Sequence, residues 1–436
     1  MAVKLQPDDA PPVDVRKPAV RIKAGSLLAA LKDVLGVIEA RNTIPLLSHV
    51  LIGAGEGAVT LTGTDLDIWA RRDLTSDDRD GPGSKDWRDS IKGFAIALPA
   101  KPLADVLGEI DGDAMVTLTA PCSGPNGTEV RAVVQAGRAR FKLACLPAEE
   151  FPLPPHIDVA AEFELPCSRL ADAFAAVEHA ISTEETRYYL NGVYLHPHQD
   201  EGEPQVLRFA TTDGHRLARL TLDLPDGAAS WPSVIVGRKT VGVLDKLLAA
   251  AAKTTEGKEV APASVLVEAN GLTKGCLLRF ELPAADGGTI EITAKTIDGD
   301  FPDYARVIPA APALRAVLAR APLAAAVKRV AVLSEGKSRA VKAAFSDGRV
   351  TLSSRSVELG EASEELECEY RGPDATLGFD AKYWRDALLA VATDQIAMAF
   401  DAPEESGGSA GPVRIAAWDG NGEAGALVQV LMPVRV

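Results

Sequence analysis

The sequence predicts an α+β fold in which one unit of about 140 residues occurs three times. Three observations carry the prediction. An apolar strand, a lysine and an amphipathic helix follow one another at residues 94–110, 233–251 and 375–392, and the aligned lysines Lys101, Lys239 and Lys382 are 138 and 143 positions apart. Upstream of each, a strand, a short break and a second strand occupy 57–74, 205–222 and 348–366, with Asp65 and Asp213 at matching places. A further helical candidate precedes each of these, at 26–40, 168–182 and 323–334.

Residues 1–18 are polar and contain Pro7, Pro11, Pro12 and Pro18, which predicts a flexible N-terminal tail. The first copy, 19–155, opens on a helix with Ser26 as its expected N-cap and closes on a strand that runs into Phe151-Pro152. The second copy, 156–309, repeats the order, with Ser168 as the expected cap. After Lys239, Val241, Leu244, Leu247 and Leu248 recur at helical spacing, and the copy ends beyond Phe301-Pro302. The third copy, 310–436, finishes on a strand-like run at 426–436. The copies differ in loops at 76–93, 121–128, 254–262 and 402–412, where added length costs little because closure entropy grows only with the logarithm of loop length.

Of 436 residues, 47% are hydrophobic, enough for several cores, yet no apolar run approaches the roughly 20 residues needed to cross a bilayer. The N-terminus lacks a secretory core, so a cytoplasmic chain without a membrane role is expected. Cys122, Cys145, Cys167, Cys276 and Cys368 are odd in number and contain no CxxC, which predicts scattered buried thiols. The six histidines show no metal-ligand spacing, and His196 and His198 flank a proline in an expected hairpin turn. Glycine patterns at 53–58 and 420–425 lead into strand-like sequence, which marks hairpin turns rather than dinucleotide sites. The GxSxG match at 407–411 sits in a Ser/Gly loop, and Gly336-Lys337-Ser338 lacks the leading glycine of a P-loop. Neither metal nor cofactor is implied. A net charge of −15 argues against nucleic acid unless a basic face lies inside an acidic shell.

The most distinctive stretch is Thr211 to Leu217, TTDGHRL, a short Asp-Gly turn between two strands. Three readings apply to it. His beside a carboxylate suggests a general base, Asp and Gly suggest a turn satisfied locally, and exposed His and Arg suggest a docking surface. Adjacent residues on a tight turn point in different directions and no nucleophile accompanies them, so docking is the favoured reading.

Seven blocks, RNTIPLLSHVLI at 41–52, LTGTDLDI at 61–68, RYYLNGV at 187–193, TTDGHRLA at 211–218, VIVGRK at 234–239, FPDYARVIP at 301–309 and MPVRV at 432–436, resemble the bacterial DNA polymerase III β subunit family, the sliding clamps. The resemblance covers the chain from about residue 16, in order. It implies three clamp-type domains per chain, each with two helices lining a ring and antiparallel sheets outside, and a head-to-tail ring dimer around double-stranded DNA. It further implies a non-catalytic processivity factor whose partners are the DNA polymerase III alpha subunit, the clamp-loader complex and other clamp-binding proteins.

Matching positions give the expected sites. DNA contact falls to Arg41, Arg187, Tyr189, Lys239, Lys328 and Arg329. The partner-peptide groove takes Leu190, Thr212, Gly214, His215, Arg216 and Leu217 from the second copy, together with Pro302 and Val307. Tyr383, Val430, Met432 and Arg435 complete it from the third. Departures from the family pattern are Glu184-Glu185 before RYYLNG, Asp300 before FPDY, and MPVRV at the end. A clamp-like scaffold that binds partners without encircling DNA is the alternative reading, and an enzyme built on the Asp213–Arg216 turn is the other.

Overall fold

The computed structural model describes residues 19–40, 42–55, 58–74, 79–80, 94–123, 130–255, 264–271, 275–334, 340–402, 411–420 and 422–436. The predicted tail, the 76–93 insertion apart from Arg79–Asp80, Arg41, the GxSxG match up to Ala410 and Gly336-Lys337-Ser338 lie outside the described residues. Two compact units make up the chain. Unit 1 comprises Met1–Ser168, Gly242–Gly271 and Leu277–Lys295. Unit 2 comprises Arg169–Val241, Leu272–Cys276 and Thr296–Val436.

Unit 1 contains two antiparallel sheets. The five-stranded sheet runs in the order Arg79–Asp80, Ala19–Lys23, Met115–Ser123, Val130–Ala136 and Ala139–Ala144. The eight-stranded sheet runs Ala161–Pro166, Ser264–Ala269, Leu277–Pro283, Thr289–Lys295, Ile68–Leu74, Ala58–Thr64, His49–Gly55 and Phe94–Pro99. Its centre is a joint between copies: Ile68–Leu74 of the first pairs with Thr289–Lys295 of the second, placing Arg72 opposite Ile290. Helices α1 (Ala24–Leu35) and α2 (Ala100–Gly108) pack together, and Leu27, Leu31, Val34, Leu103 and Leu107 are buried at i, i+3/i+4 spacing.

Unit 2 repeats the plan. Its nine-stranded sheet runs Val234–Gly237, Gly192–His198, Val206–Thr212, Arg216–Asp223, Glu423–Leu431, Val413–Trp418, Gln395–Phe400, Leu314–Ala319 and Glu369–Tyr370. Here the joint is between the second and third copies, with Leu217 opposite Val430. A four-stranded sheet follows, in the order Gly360–Glu367, Arg349–Ser356, Ala340–Ser346 and Ala375–Asp380. Trp384, Tyr370, Phe345, Phe379 and Phe400 fill the core of the third copy.

Helices α3 (Cys167–Val177), α4 (Arg238–Thr255), α5 (Arg320–Val330) and α6 (Ala381–Ala390) complete the set. Each of the six begins on the residue after a strand ends, with no loop between. This corrects the expected caps: α1 starts at Ala24 and α3 at Cys167, so Ser26 and Ser168 lie inside the first turn. The exposed N–H groups of α1 find backbone acceptors instead, Ala24 N on the Ala114 carbonyl and Gly25 N on that of Gly112, both at 2.9 Å. Among the described caps of these helices, only Asp380 caps by side chain, accepting from the N–H groups of Lys382 and Tyr383 at 2.8 and 3.0 Å.

The described residues of the glycine patterns at 53–58 and 420–425 lie at or beside the ends of antiparallel-paired strands, His49–Gly55 with Ala58–Thr64 and Val413–Trp418 with Glu423–Leu431. Cys145, Cys167, Cys276 and Cys368 are buried free thiols, and burial pushes Cys167 and Cys368 up to about 11. His196 differs from expectation. The strand extends through Pro197, and the His196 ring is buried with Nε2 at 2.9 Å from the Tyr304 hydroxyl.

Candidate docking site

The TTDGHRL turn uses a scaffold shared with the first copy and, in part, with the third. Thr212 Oγ1 donates to the Arg216 carbonyl at 2.7 Å and accepts from Gly214 N at 3.1 Å. Asp213 Oδ1 accepts from His215 N at 2.9 Å and Arg216 N at 3.0 Å. In the first copy Thr64 donates to the Ile68 carbonyl, and Asp65 accepts from Asp67 N and Ile68 N in the same places. In the third, Ser356 Oγ accepts from Glu358 N and Leu359 N. The turn needs a left-handed residue, supplied by Gly214 at φ 88°, whereas the first copy forces Leu66 into φ 78°. Glycine also leaves room for Arg187, since a Cβ on Gly214 would come within 2.8 Å of its guanidinium.

The second copy adds a buried arginine to this scaffold. Arg216 Nε donates to Asp213 Oδ2 at 3.0 Å and Nη1 to Asp386 Oδ2 at 3.0 Å, and the guanidinium lies 4.1 Å from the centre of the Tyr383 ring. Only 6% of the Arg216 side chain is exposed. Burial pulls the Asp386 carboxyl upward, but hydrogen bonds from Lys382 and Arg216 outweigh it and hold the group below its ordinary range. Arg216 therefore pins the turn to α6. His215 is left on the surface, stacked over Tyr383 at 6.3 Å and 22°, and its carbonyl accepts from Met432 N at 2.9 Å.

This arrangement disfavours catalysis by the turn. Both Asp213 oxygens are occupied by backbone N–H groups and by Arg216, so the carboxylate does not orient the His215 ring. Among the described residues no His, Cys, Asp or Glu cluster of metal-binding form occurs.

Around the turn the expected groove residues fall into a floor and a rim. Leu190, Leu217 and Val430 are buried at 4%, 2% and 2% exposure. Leu217 and Val430 form one cluster with Ala210 and Tyr304, against which Tyr194, Phe301 and Ile308 pack. Val307 and Met432 stand out at 44% and 42% exposure, and Pro302, His215 and Arg435 are also exposed. Thr212 and Gly214 shape the turn, and Tyr383 is half-buried beneath His215. Sequence reasoning missed Asp386, whose partner is 170 positions away.

The expected DNA residues are more scattered. Arg187 and Tyr189 lie in the short helical segment Glu185–Leu190, where Arg187 Nε bonds Glu184 Oε2 at 2.9 Å. The neighbouring Tyr188 is 53% exposed and meets Tyr189 edge-on at 5.8 Å. Lys239 is exposed on the first turn of α4, and Lys328 on the last of α5. Arg329 is paired through two hydrogen bonds with Glu364, at 3.0 and 2.5 Å, so much of its charge is neutralised within the chain. Arg41 lies outside the described residues.

Family models for the N-terminal, central and C-terminal domains of the DNA polymerase III beta subunit match residues 19–155, 164–303 and 305–407. The chain is 37% identical over 388 residues to the beta sliding clamp of Caulobacter vibrioides, covering 88% of this chain and 93% of that one. It is 32% identical over 375 residues to the beta sliding clamp of Pseudomonas aeruginosa, covering 86% and 91%. Among solved structures, the Bartonella birtlesii sliding clamp bound to griselimycin superposes with a TM-score of 0.81 at 31% identity, covering 97% of this chain and all of that one. The Caulobacter crescentus DNA polymerase sliding clamp gives a TM-score of 0.79 at 36% identity, covering 96% and 100%.

Proposed function

The chain belongs to the DNA polymerase III beta subunit family and works as a DNA sliding clamp, a processivity factor; from that premise we propose which residues do the work. Domains of 19–155, 156–309 and 310–436 make two copy-to-copy joints inside the chain, through the pairings of Arg72 with Ile290 and Leu217 with Val430. The edge strands Ala139–Ala144, with Arg140 and Lys142, and Gly360–Glu367, with the exposed Glu361, Glu365 and Glu367, remain at sheet edges of the first and third copies. Their opposite charge suits the head-to-tail joint that closes a dimer.

Within such a ring, Lys239 and Lys328 face phosphates without reading bases, with Arg41, Arg187 and Tyr189 at the ring face. Arg329 contributes less because Glu364 holds it. Retention is topological, so weak contacts suffice. The chain should stay on nicked circular DNA and leave when the circle is cut. Release governed by salt alone, with no effect of linearisation, would support the scaffold reading instead.

Tethering falls to the apolar groove. The observation that carries this assignment is that Arg216 is spent on Asp213 and Asp386, fixing a turn that leaves His215 and Met432 exposed beside a buried Leu217–Val430 floor. The polymerase alpha subunit, the clamp loader and other partners would insert a short peptide there. His215→Ala and Met432→Ala should each weaken a groove-binding peptide about tenfold, the loss of roughly 1.4 kcal/mol. Both side chains are exposed, so the melting temperature should not move. Unchanged peptide affinity in a calorimetric titration of both variants would remove these residues from the groove. The molecule acts by tethering rather than turnover. We place it in the cytoplasm with the DNA, and among the described residues no helix is long and apolar enough to cross a membrane.

A further inference from the structure

The floor of the groove does not end at Leu217. Side chains two apart on a strand share a face, about 7 Å from one another, so Arg219 follows Leu217 on the same side of the nine-stranded sheet. Arg219 sits opposite Ala210 on one neighbouring strand and Val428 on the other. Arg208, on the same face as Ala210, lies opposite His196 and Thr221. Arg414 lies opposite Val430. Apolar floor thus passes directly into a group of guanidinium-bearing positions, with Tyr304 belonging to the floor cluster and interacting with Arg208 and Arg219.

The charges of Arg208 and Arg219 are incompletely matched. Arg208, 10% exposed, reaches Asp200 through Nη2 at 2.9 Å, and Asp200 also takes His198 Nε2 at 3.0 Å. Arg414 Nη1 donates to the Pro309 carbonyl at 2.8 Å. Among the described residues no carboxylate bonds to Arg219, and the ε N–H groups of both Arg208 and Arg219 are buried without an acceptor. Burial, and then the positive charge of Arg208, pull the Arg219 guanidinium below its usual range. Arg208 already has Asp200 as its anion, whereas Arg219, partly buried beside it, feels Asp200 only at longer range, so a further carboxylate would be favoured there. On a chain of net charge −15 such a spot is also selective.

We propose that Arg219, flanked by Arg208 and Arg414, forms a carboxylate-binding subsite that continues the docking groove and favours partner peptides bearing an acidic group beside their apolar anchors. A guanidinium presents paired donors that match a carboxylate, which a lysine would not. The inference rests on the assignment of the groove as the peptide site and adds the chemistry of what enters it.

The test is a random-octapeptide display selection on the full-length chain and on its Arg219→Gln variant, with Arg414→Gln as a second variant should the first fail to fold. Peptides selected by the unaltered chain should carry apolar anchors with Asp, Glu or a free C-terminal carboxylate next to them. The variant should select the same anchors without the acid. For one selected sequence, replacing Glu by Gln should lower affinity for the unaltered chain about tenfold and leave the variant indifferent, and amidated against free C-termini separate the two carboxylate sources. Anchors selected without acid enrichment, or with equal enrichment in chain and variant, would overturn the subsite and leave the groove standing. Failure to select apolar anchors at all would overturn both.

Discussion

Replacing Arg72 by alanine is expected to lower the stability of unit 1 by about 3–5 kcal/mol, the range for stranding buried charges. Arg72 lies on the strand Ile68–Leu74 with 2% of its side chain exposed. Its Nε donates to Asp33 Oδ2 on α1 at 3.0 Å, Nη2 to Asp286 and Nη1 to the Asp73 carbonyl. Asp286 belongs to the hairpin turn of the second copy, and a Cβ on Gly288 in that turn would collide with the guanidinium. One side chain therefore ties the first copy's helix and strand to the second copy's hairpin, beside the joint where Arg72 pairs with Ile290. Without it Asp33, whose carboxyl burial already pushes above its ordinary value despite the arginine, would lose its counter-charge. Arg72→Met should recover packing but little of the loss, whereas adding Asp33→Leu should recover more by removing a stranded carboxylate. Urea unfolding read by amide exchange in the eight-stranded sheet measures the effect. A loss below about 1 kcal/mol in Arg72→Ala would show that the cluster holds no net stability.

None of this was legible in the sequence. The run WARRDL shows two arginines on a strand, and nothing marks Arg72 as the one that meets a carboxylate 214 positions later. The same holds for Arg216 and Asp386. What could be read was periodic or local: helices from their apolar spacing, strands from alternation, and the equivalence of Asp65 with Asp213, because a turn that folds on its own backbone needs the same residues wherever it occurs. The missed caps have the complementary cause. Ser26 and Ser168 carry the right side chain, but the strand runs straight into the helix and distant carbonyls satisfy the first N–H groups of α1, so local chemistry was overruled by tertiary structure. The candidate groove divides the same way. Thr212, Asp213 and Gly214 announce the turn, whereas the division of labour between Arg216 inside and His215 outside depends on Asp386 and Tyr383 from another copy.

The second large effect concerns acid. His179 and His196, both in unit 2, are held down to about 4, foremost by burial, with Arg216 adding to the effect at His179 and with His198 and Arg208 adding to it at His196. Their unfolded value is near 6.5. Between those values the unfolded chain binds more protons than the folded one, so stability falls as pH drops from 6.5 and the loss is complete below 4. Each histidine should cost unit 2 about 2 kcal/mol by pH 5 and about 3 kcal/mol by pH 4. Unit 1 carries groups of both senses: His49 is lowered by burial and Asp286 is lowered beside Arg72, but three of its carboxyls are shifted the other way. Asp33, Asp73 and Glu291 have carboxyls raised by burial, so the folded state binds their protons before the unfolded chain does and gains stability as pH falls toward their ordinary values. Unit 2, which carries the docking turn and its arginine cluster, should therefore open at a higher pH than unit 1. Amide exchange followed from about pH 7 to 4 should show the nine-stranded sheet losing protection first. His179→Gln and His196→Gln should each flatten that slope, and an unchanged acid midpoint in the double variant would mean that other groups govern the transition.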